Sequence, residues 1–355
     1  MTEKRLTIAA ALGALAITLS NSAAFAADTY AFVTHSQGDP FIQQILDGAL
    51  QAAKDLGVTV NVAQQAGSAP EGQLKLVQNF VNSGVKGVAT SVPGESMASA
   101  LNDIVTSGVP VVQYNLLSKA VNGPYVGEKS VESGRVLGRI IVDKLGGASA
   151  KGSVIIGNCF PGIPVLENRA KGVKESLAKA PGLKILGPFD VKVSAVENYN
   201  HWEQLYAANP DAVALIGLCA PDVTSLGQLN SANGDKFVAG GYDLTELNLK
   251  AIKDHHAYVT IGQSAYVQGY LPIALLVNAV KLGKPLQAGF YNAGAQIVTA
   301  DKVDMGNGLK PISFDEAQKL AANPAATAAY YKPWADSLTA EMLSTKPQPI
   351  SAESE

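Results

Sequence analysis

Two polar residues stand where apolar β-like runs end, and their types suit hydrogen bonding rather than bond breaking. The run Phe237 to Ala239 breaks at Gly240-Gly241 and delivers Tyr242 and Asp243 to a strand end. The run Tyr258 to Gly262 delivers Gln263 just before a predicted helix, Ala265 to Leu282. A carboxylate and a carboxamide at the carboxyl ends of successive strands lie where open α/β sheets bind ligands. Between them they offer acceptors and a donor to a neutral polyhydroxylated molecule. Helix capping is the competing role for each. No Ser/His/Asp or Cys/His arrangement, paired catalytic carboxylates or zinc-ligand spacing emerges, so we expect no enzyme, no cofactor and no metal site.

The elements that must hold these residues repeat a βα rhythm from Tyr30 onward. Strands are predicted at Tyr30 to Thr34, Val58 to Ala63, Gly87 to Ser91 and Val109 to Tyr114, with helices Phe41 to Leu56, Gly72 to Ser83 and Ser96 to Ser107 between them. A short extended piece at Tyr125 to Gly127 and a long helix, Val131 to Leu145, follow. The rhythm then restarts at Ser153 to Gly157 and runs through Ala212 to Gly217 to the two strands of Asp243 and Gln263. Alternation at this spacing predicts an α/β chain with two doubly wound parallel sheets. Beyond Gly283, one or two helices are predicted, with Pro324 and Pro333 as breaks, and residues 346–355 are expected to be a disordered tail.

The N-terminus carries Lys4 and Arg5, an apolar run from Leu6 to Leu19, and Ala24-Phe25-Ala26, the pattern of a cleavable signal peptide over 1–26. About 14 apolar residues fall short of the ~20 a membrane span needs, so we expect a free periplasmic protein. Removing the leader takes Lys+Arg from 27 to 25 and Asp+Glu from 30 to 29, a net charge of −4. With no basic stripe, no nucleic-acid partner is expected. The two cysteines, Cys159 and Cys219, each end an apolar run. In an oxidising compartment they can pair if the strands are neighbours; buried free thiols are the alternative.

The loop GDPF before a helix ending DGALQAAKDLG, the segment GVPVVQYN, the piece VGEKSVESGRVLG, the helix start ENRAKGV, and GGYD followed by VTIGQSAYVQG carry a likeness. In this order and spacing they resemble the type I periplasmic sugar-binding proteins of ABC importers, the ribose, galactose and xylose group, from about Tyr30 to about Thr299. The resemblance implies two lobes joined by a three-crossing hinge near Gly127 to Ser130, Ile261 to Ser264 and Asn292 to Gln296. Lobe 1 would be 27–128 plus 265–292, and lobe 2 would be 129–262 plus 293–345. By the same resemblance Asp39 and Phe41 would supply a polar group and a stacking aromatic. Asn115 would end the fourth strand, Arg169 would open a helix at the cleft, and Asp243 and Gln263 would complete the set. Phe41 can equally be core, and Arg169 can equally brace Glu167 or its own helix.

His35 and Ser36 share the first loop and read as ligand contacts or as turn residues, and Phe160 as cleft floor or core cover. Asp222, in the segment LCAPD, is a further candidate. Ribose binders carry an arginine after the fourth-strand residue, whereas here Leu116 follows Asn115, so pentose recognition does not carry over. The resemblance implies a monomeric solute-binding protein that captures a neutral sugar or polyol and delivers it to an ABC permease. A sensor of a sugar-like signal and an enzyme on the same scaffold are the alternatives.

Overall fold

The computed structural model describes residues 27–66, 69–306, 309–344 and 346–355, so the predicted leader lies outside the described residues. The first lobe opens with β1 (Thr29–Thr34), α1 (Pro40–Leu56), β2 (Thr59–Gln64), α2 (Pro70–Asn82), β3 (Val88–Thr90), α3 (Ala98–Thr106), β4 (Val111–Tyr114) and β5 (Pro124–Gly127). The chain crosses to the second lobe for α4 (Ser130–Lys144), β6 (Lys151–Asn158), α5 (Pro164–Leu177), β7 (Gly182–Asp190), α6 (Ala195–Ala208) and β8 (Ala212–Gly217). That lobe continues with α7 (Asp222–Ala232), β9 (Val238–Tyr242), α8 (Glu246–Lys253) and β10 (Val259–Gly262). It then returns for α9 (Ala265–Leu282) and β11 (Gly289–Asn292), and crosses again for β12 (Gln296–Thr299), β13 (Val303–Asp304) and α10 (Phe314–Ala322), before α11 (Pro324–Ser344).

Each lobe is one sheet with helices on both faces. The orders are β11-β5-β4-β3-β1-β2 and β13-β12-β10-β9-β8-β6-β7. Read from β2 and from β7, the first five strands of both sheets follow the same doubly wound order, with a switch point between β1 and β3 in one lobe and between β6 and β8 in the other. All pairings are parallel except β10 with β12 and β12 with β13, which close one edge antiparallel. Parallel strands covered on both sides must be apolar throughout, which is why β1, β4, β8 and β10 read as near-continuous apolar runs.

Helix α9 is apolar all round because it is enclosed. It packs on α1 and the first sheet on one side and is covered by α11 on the other. Tyr331 of α11 stacks on Tyr266 of α9 at 5.7 Å, and the Tyr270 hydroxyl donates to Asp55 and to Asp336. In the second lobe, α4 and α5 approach so closely that a Cβ at Gly134 would lie 2.2 Å from the Arg169 carbonyl oxygen. Glycine there is a packing requirement, and it fixes the backbone that carries Arg169.

Three expectations change. The segment 293–345, assigned to lobe 2, divides: α10 lies on α8 of lobe 2, but α11 packs on α9 and α1 of lobe 1, so the chain passes between the lobes once more than three times. Helix α11 also runs unbroken through Pro333. The tail 346–355 is ordered: Gln348 pairs with Phe290 at the edge of β11, and a 3₁₀ turn follows at Ile350–Ser354. There Ala352 joins Leu116, Tyr125 and Val165 in a small core, and the buried Glu353 carboxylate accepts from Ser130 and Asn168. Burying one alanine against both lobes and one carboxylate against α4 and α5 is what holds a polar sequence that lacks any apolar period.

Candidate functional site

Between the lobes lies a cleft of about 560 Å³, counted out to its open mouth. Its floor is a chain of side-chain amides. Asn115 Nδ2 donates to Gln263 Oε1 and to Gln268 Oε1, both at 3.2 Å, and Gln263 Nε2 donates to Asp243 Oδ1 at 2.8 Å. Asn115 ends β4, Asp243 ends β9 and Gln263 ends β10, so three strand termini from two sheets meet in one network. Asn115 has φ 59°, Asp243 φ 76°, and Ser264, next to Gln263, φ 54°. Asn and Asp tolerate this left-handed conformation better than other side chains, and departures of this kind gather at ligand sites.

The Asp243 backbone is over-determined. Its N–H donates to Ile261 O, and its carbonyl accepts from Thr260 Oγ1 and Asn248 Nδ2. Helix α8 is capped by Thr245, whose hydroxyl accepts from Asn248 N. Asp243 is therefore free of the capping role. Its carboxyl has Gln263 as its side-chain partner and is pushed up to about 7, by burial first, with Arg169 opposing and Asp39 adding to the rise.

Arg169 is buried and committed. Its Nε donates to Glu128 Oε1 at 2.6 Å, its Nη1 donates to Leu218 O at 2.8 Å, and its guanidinium lies 3.9 Å over the Tyr242 ring. Glu128, in the first crossing between lobes, neutralises it, so Asp39 and Asp243 set the sign of the cleft. Glu167, one of the alternative partners considered for Arg169, instead accepts from Asn158 Nδ2 and Gly162 N.

On the lobe 1 side, Asp39 caps α1 by accepting from Phe41 N at 2.9 Å, and burial raises its carboxyl above the usual range. Phe41 lines the cleft and is also part of the lobe 1 core, 6 % exposed. His35 lines the cleft too; its Nδ1 sits 3.0 Å from Ser91 Oγ, and burial pushes its pKa down to about 4, leaving it neutral. From lobe 2, Phe160 and Cys159–Cys219 complete the wall. The two cysteines form a disulfide, Cα–Cα 6.2 Å, across the β6/β8 switch point.

Residues 30–285 match a family model described as the periplasmic binding protein domain. The chain belongs to this family. It is 24% identical over 300 residues to a xylose/arabinose-binding protein of Sulfolobus acidocaldarius, covering 77% of this chain and 71% of that one. It is 25% identical over 289 residues to the ribose import binding protein of Haemophilus influenzae, covering 80% and 96%. An ABC transporter solute-binding protein of Burkholderia graminis, solved with D-arabinose, superposes with TM-score 0.73 at 22% identity over 77% of this chain and 96% of that one.

In this periplasmic binding protein two sequence candidates stand outside the cleft. Ser36 is confined to its turn, its N–H directed at Thr34 Oγ1 at 3.5 Å. Asp222 is turned inward: Oδ1 accepts from Asn198 Nδ2 at 2.7 Å and Trp202 Nε1 at 2.9 Å, and Oδ2 accepts from Cys219 N at 2.8 Å. The donors that claim it come from α6, some 20 residues upstream, and from its own loop. Sequence reading missed Glu128, Gln268 and the apolar lining of Leu116, Ile163, Val165 and Leu166. A βα loop rich in apolar residues was the one available signal for the lining; nothing local marks the other two.

Proposed function

We propose that this periplasmic binding protein captures a neutral sugar or polyol between its lobes in the periplasm, as a monomer, and presents it to an ABC permease in the inner membrane. The observation that carries the reading is the amide and carboxylate network Asn115–Gln263–Asp243 at the cleft floor, with Asp39 and Phe41 facing it. Carboxylates and amides accept and donate to hydroxyls, and an aromatic ring suits the C–H face of a sugar. The names of the relatives, binders of xylose or arabinose and of ribose, support the same ligand class. With Arg169 neutralised by Glu128, the remaining carboxylates disfavour anionic ligands.

Gln263 sits in a crossing between lobes and touches a group from each, Asn115 and Asp243. A ligand that bonds to this trio has differential affinity for the arrangement in which the lobes are together, and so shifts the population toward it. The reading assigns no covalent chemistry to the cleft.

The test is a thermal-shift screen of the mature protein against pentoses, hexoses, polyols, sugar acids, amino acids and nucleosides. A ligand at about 100 times its Kd stabilises by about 2.7 kcal/mol. Shifts confined to neutral sugars or polyols support the reading; shifts confined to acids, amino acids or nucleosides overturn it.

A further inference from the structure

The polarity of the cleft runs across the strand order. In lobe 2 the adjacent strands β10 and β9 end in Gln263 and Asp243, while the next two, β8 and β6, end in loops that present Cys219-Ala220-Pro221 and Cys159-Phe160 with Ile163, Val165 and Leu166 behind them. The β6/β8 pair is the switch point, the place where an open α/β sheet receives ligand. Here it offers a disulfide and hydrocarbon. Leu116 of lobe 1 packs with Ile163 and Val165, so the apolar half continues across the cleft. Leu166, Phe160 and the disulfide belong to the lobe 2 core, which holds them in place.

Four backbone donors in this half are already used. Phe160 N donates to Asn158 Oδ1, Gly162 N to Glu167 Oε1, Ile163 N to Phe160 O and Cys219 N to Asp222 Oδ2; Pro221 has none. Three acceptors are taken as well: Leu218 O by Arg169, Cys219 O by Asp222 N, and Ala220 O by Asn248 Nδ2. A ligand hydroxyl seated against these side chains gives up water for no side-chain partner, which is unfavourable, whereas a methyl or methylene group gains apolar contact.

We infer that the ligand is a neutral sugar or polyol with one deoxygenated end, its hydroxyls on Asp39, Asn115, Asp243 and Gln263 and its methyl or methylene end against Leu116, Ile163, Val165, Leu166 and the Cys159–Cys219 disulfide. This rests on the proposed function and narrows it to a substrate class. Asp222 and Glu167 each take up one backbone N–H of the loops on this side, Cys219 N and Gly162 N.

The experiment is isothermal titration of the mature protein with sugar pairs that differ by one hydroxyl: L-rhamnose against L-mannose, L-fucose against L-galactose, D-quinovose against D-glucose, and 5-deoxy-D-ribose against D-ribose. An apolar pocket discriminates against one added hydroxyl by up to about a hundredfold. The expected result is a deoxy sugar bound at least about tenfold more tightly than its parent, with no pair reversed. Ile163→Asn places an amide in the apolar half at the N-cap of α5, a position where Asn is favoured, and should bring that ratio to within about threefold of unity. Leu166→Gln, one turn on, gives the same readout from a second position. Parents bound as tightly as their deoxy partners, or a ratio unmoved in both variants, overturn the inference and leave the proposed function standing. Silence across all pairs overturns the inference, while in the thermal-shift screen binding only of acids, amino acids or nucleosides removes that function as well.

Discussion

Asp222 and Asp243 make a controlled comparison inside one lobe. Each is a buried aspartate beside the carboxyl end of a strand, β8 for one and β9 for the other, and burial raises both carboxyls, to about 6 and about 7. They differ in what the protein gives them. Asp222 accepts from an indole, an amide and a backbone N–H, and the loop around it carries half of a disulfide. Asp243 has Gln263, and the rest of its acceptor capacity faces the cleft. Burial and strand-end position are therefore shared by an inward-turned and a cleft-lining carboxylate; the count of protein donors separates them.

The comparison can be broken at four points. The double substitution Cys159→Ala with Cys219→Ala opens the cross-link between residues 60 apart in sequence, and should cost about 4 kcal/mol in chemical denaturation. Ligand affinity should fall by less than about tenfold, because the alanines keep that wall apolar; a larger fall would give the β8 loop a polar part in binding. Asp222→Ala strands three buried donors, and should lower stability by about 3 kcal/mol. Ligand affinity measured well below the melting range should stay within about threefold, and a loss comparable with that of an Asp243 variant would collapse the distinction between the two residues.

Asp243→Ala should act the other way round. Titration of the best sugar from the screen should show affinity weakened at least about tenfold, or ~1.4 kcal/mol, with far-UV circular dichroism and cooperative melting retained. Unchanged affinity would move the site away from the β9 end. The last test is the pH dependence of Asp243→Asn. Between pH 3.8, the ordinary carboxyl value, and about 7, the folded protein keeps a proton at Asp243 that the unfolded chain releases. Wild-type stability from this group is greatest below that window and is lost as pH rises through it. The Tm of Asp243→Asn relative to wild type should thus climb from pH 4 to pH 7 and level off above; a flat difference would mean that Asp243 titrates as an ordinary surface carboxylate.

Sequence pattern located the strand ends because enclosed parallel strands must be apolar, so Asp243 and Gln263 stand out where those runs stop. The family likeness added Asp39, Phe41, Asn115 and Arg169, all of which line the same cleft. Asp222 failed for a physical reason: which way a strand-end carboxylate turns was decided by Asn198 and Trp202 on another helix, and LCAPD carries no trace of them. Glu128 was invisible for the same reason, standing 41 positions from Arg169. The placement of α11 was equally hidden. Its aromatic residues say that it must cover something, and only the folded chain shows that the thing covered is α9.

That cover has a consequence for where the molecule can be cut. The stretch shared with the family ends at residue 285, and α9 lies wholly inside it. Yet Tyr266, on the outer side of that helix, stacks on Tyr331, and Tyr270 shares its hydroxyl between Asp55 and Asp336, so part of what covers α9 lies beyond residue 330. An 18-residue helix apolar enough to cross a membrane would thus be left with one side bare if the chain were trimmed to its shared portion. In gene fusions and chimaeras built from this protein, a cut at residue 285 removes the helix that covers α9.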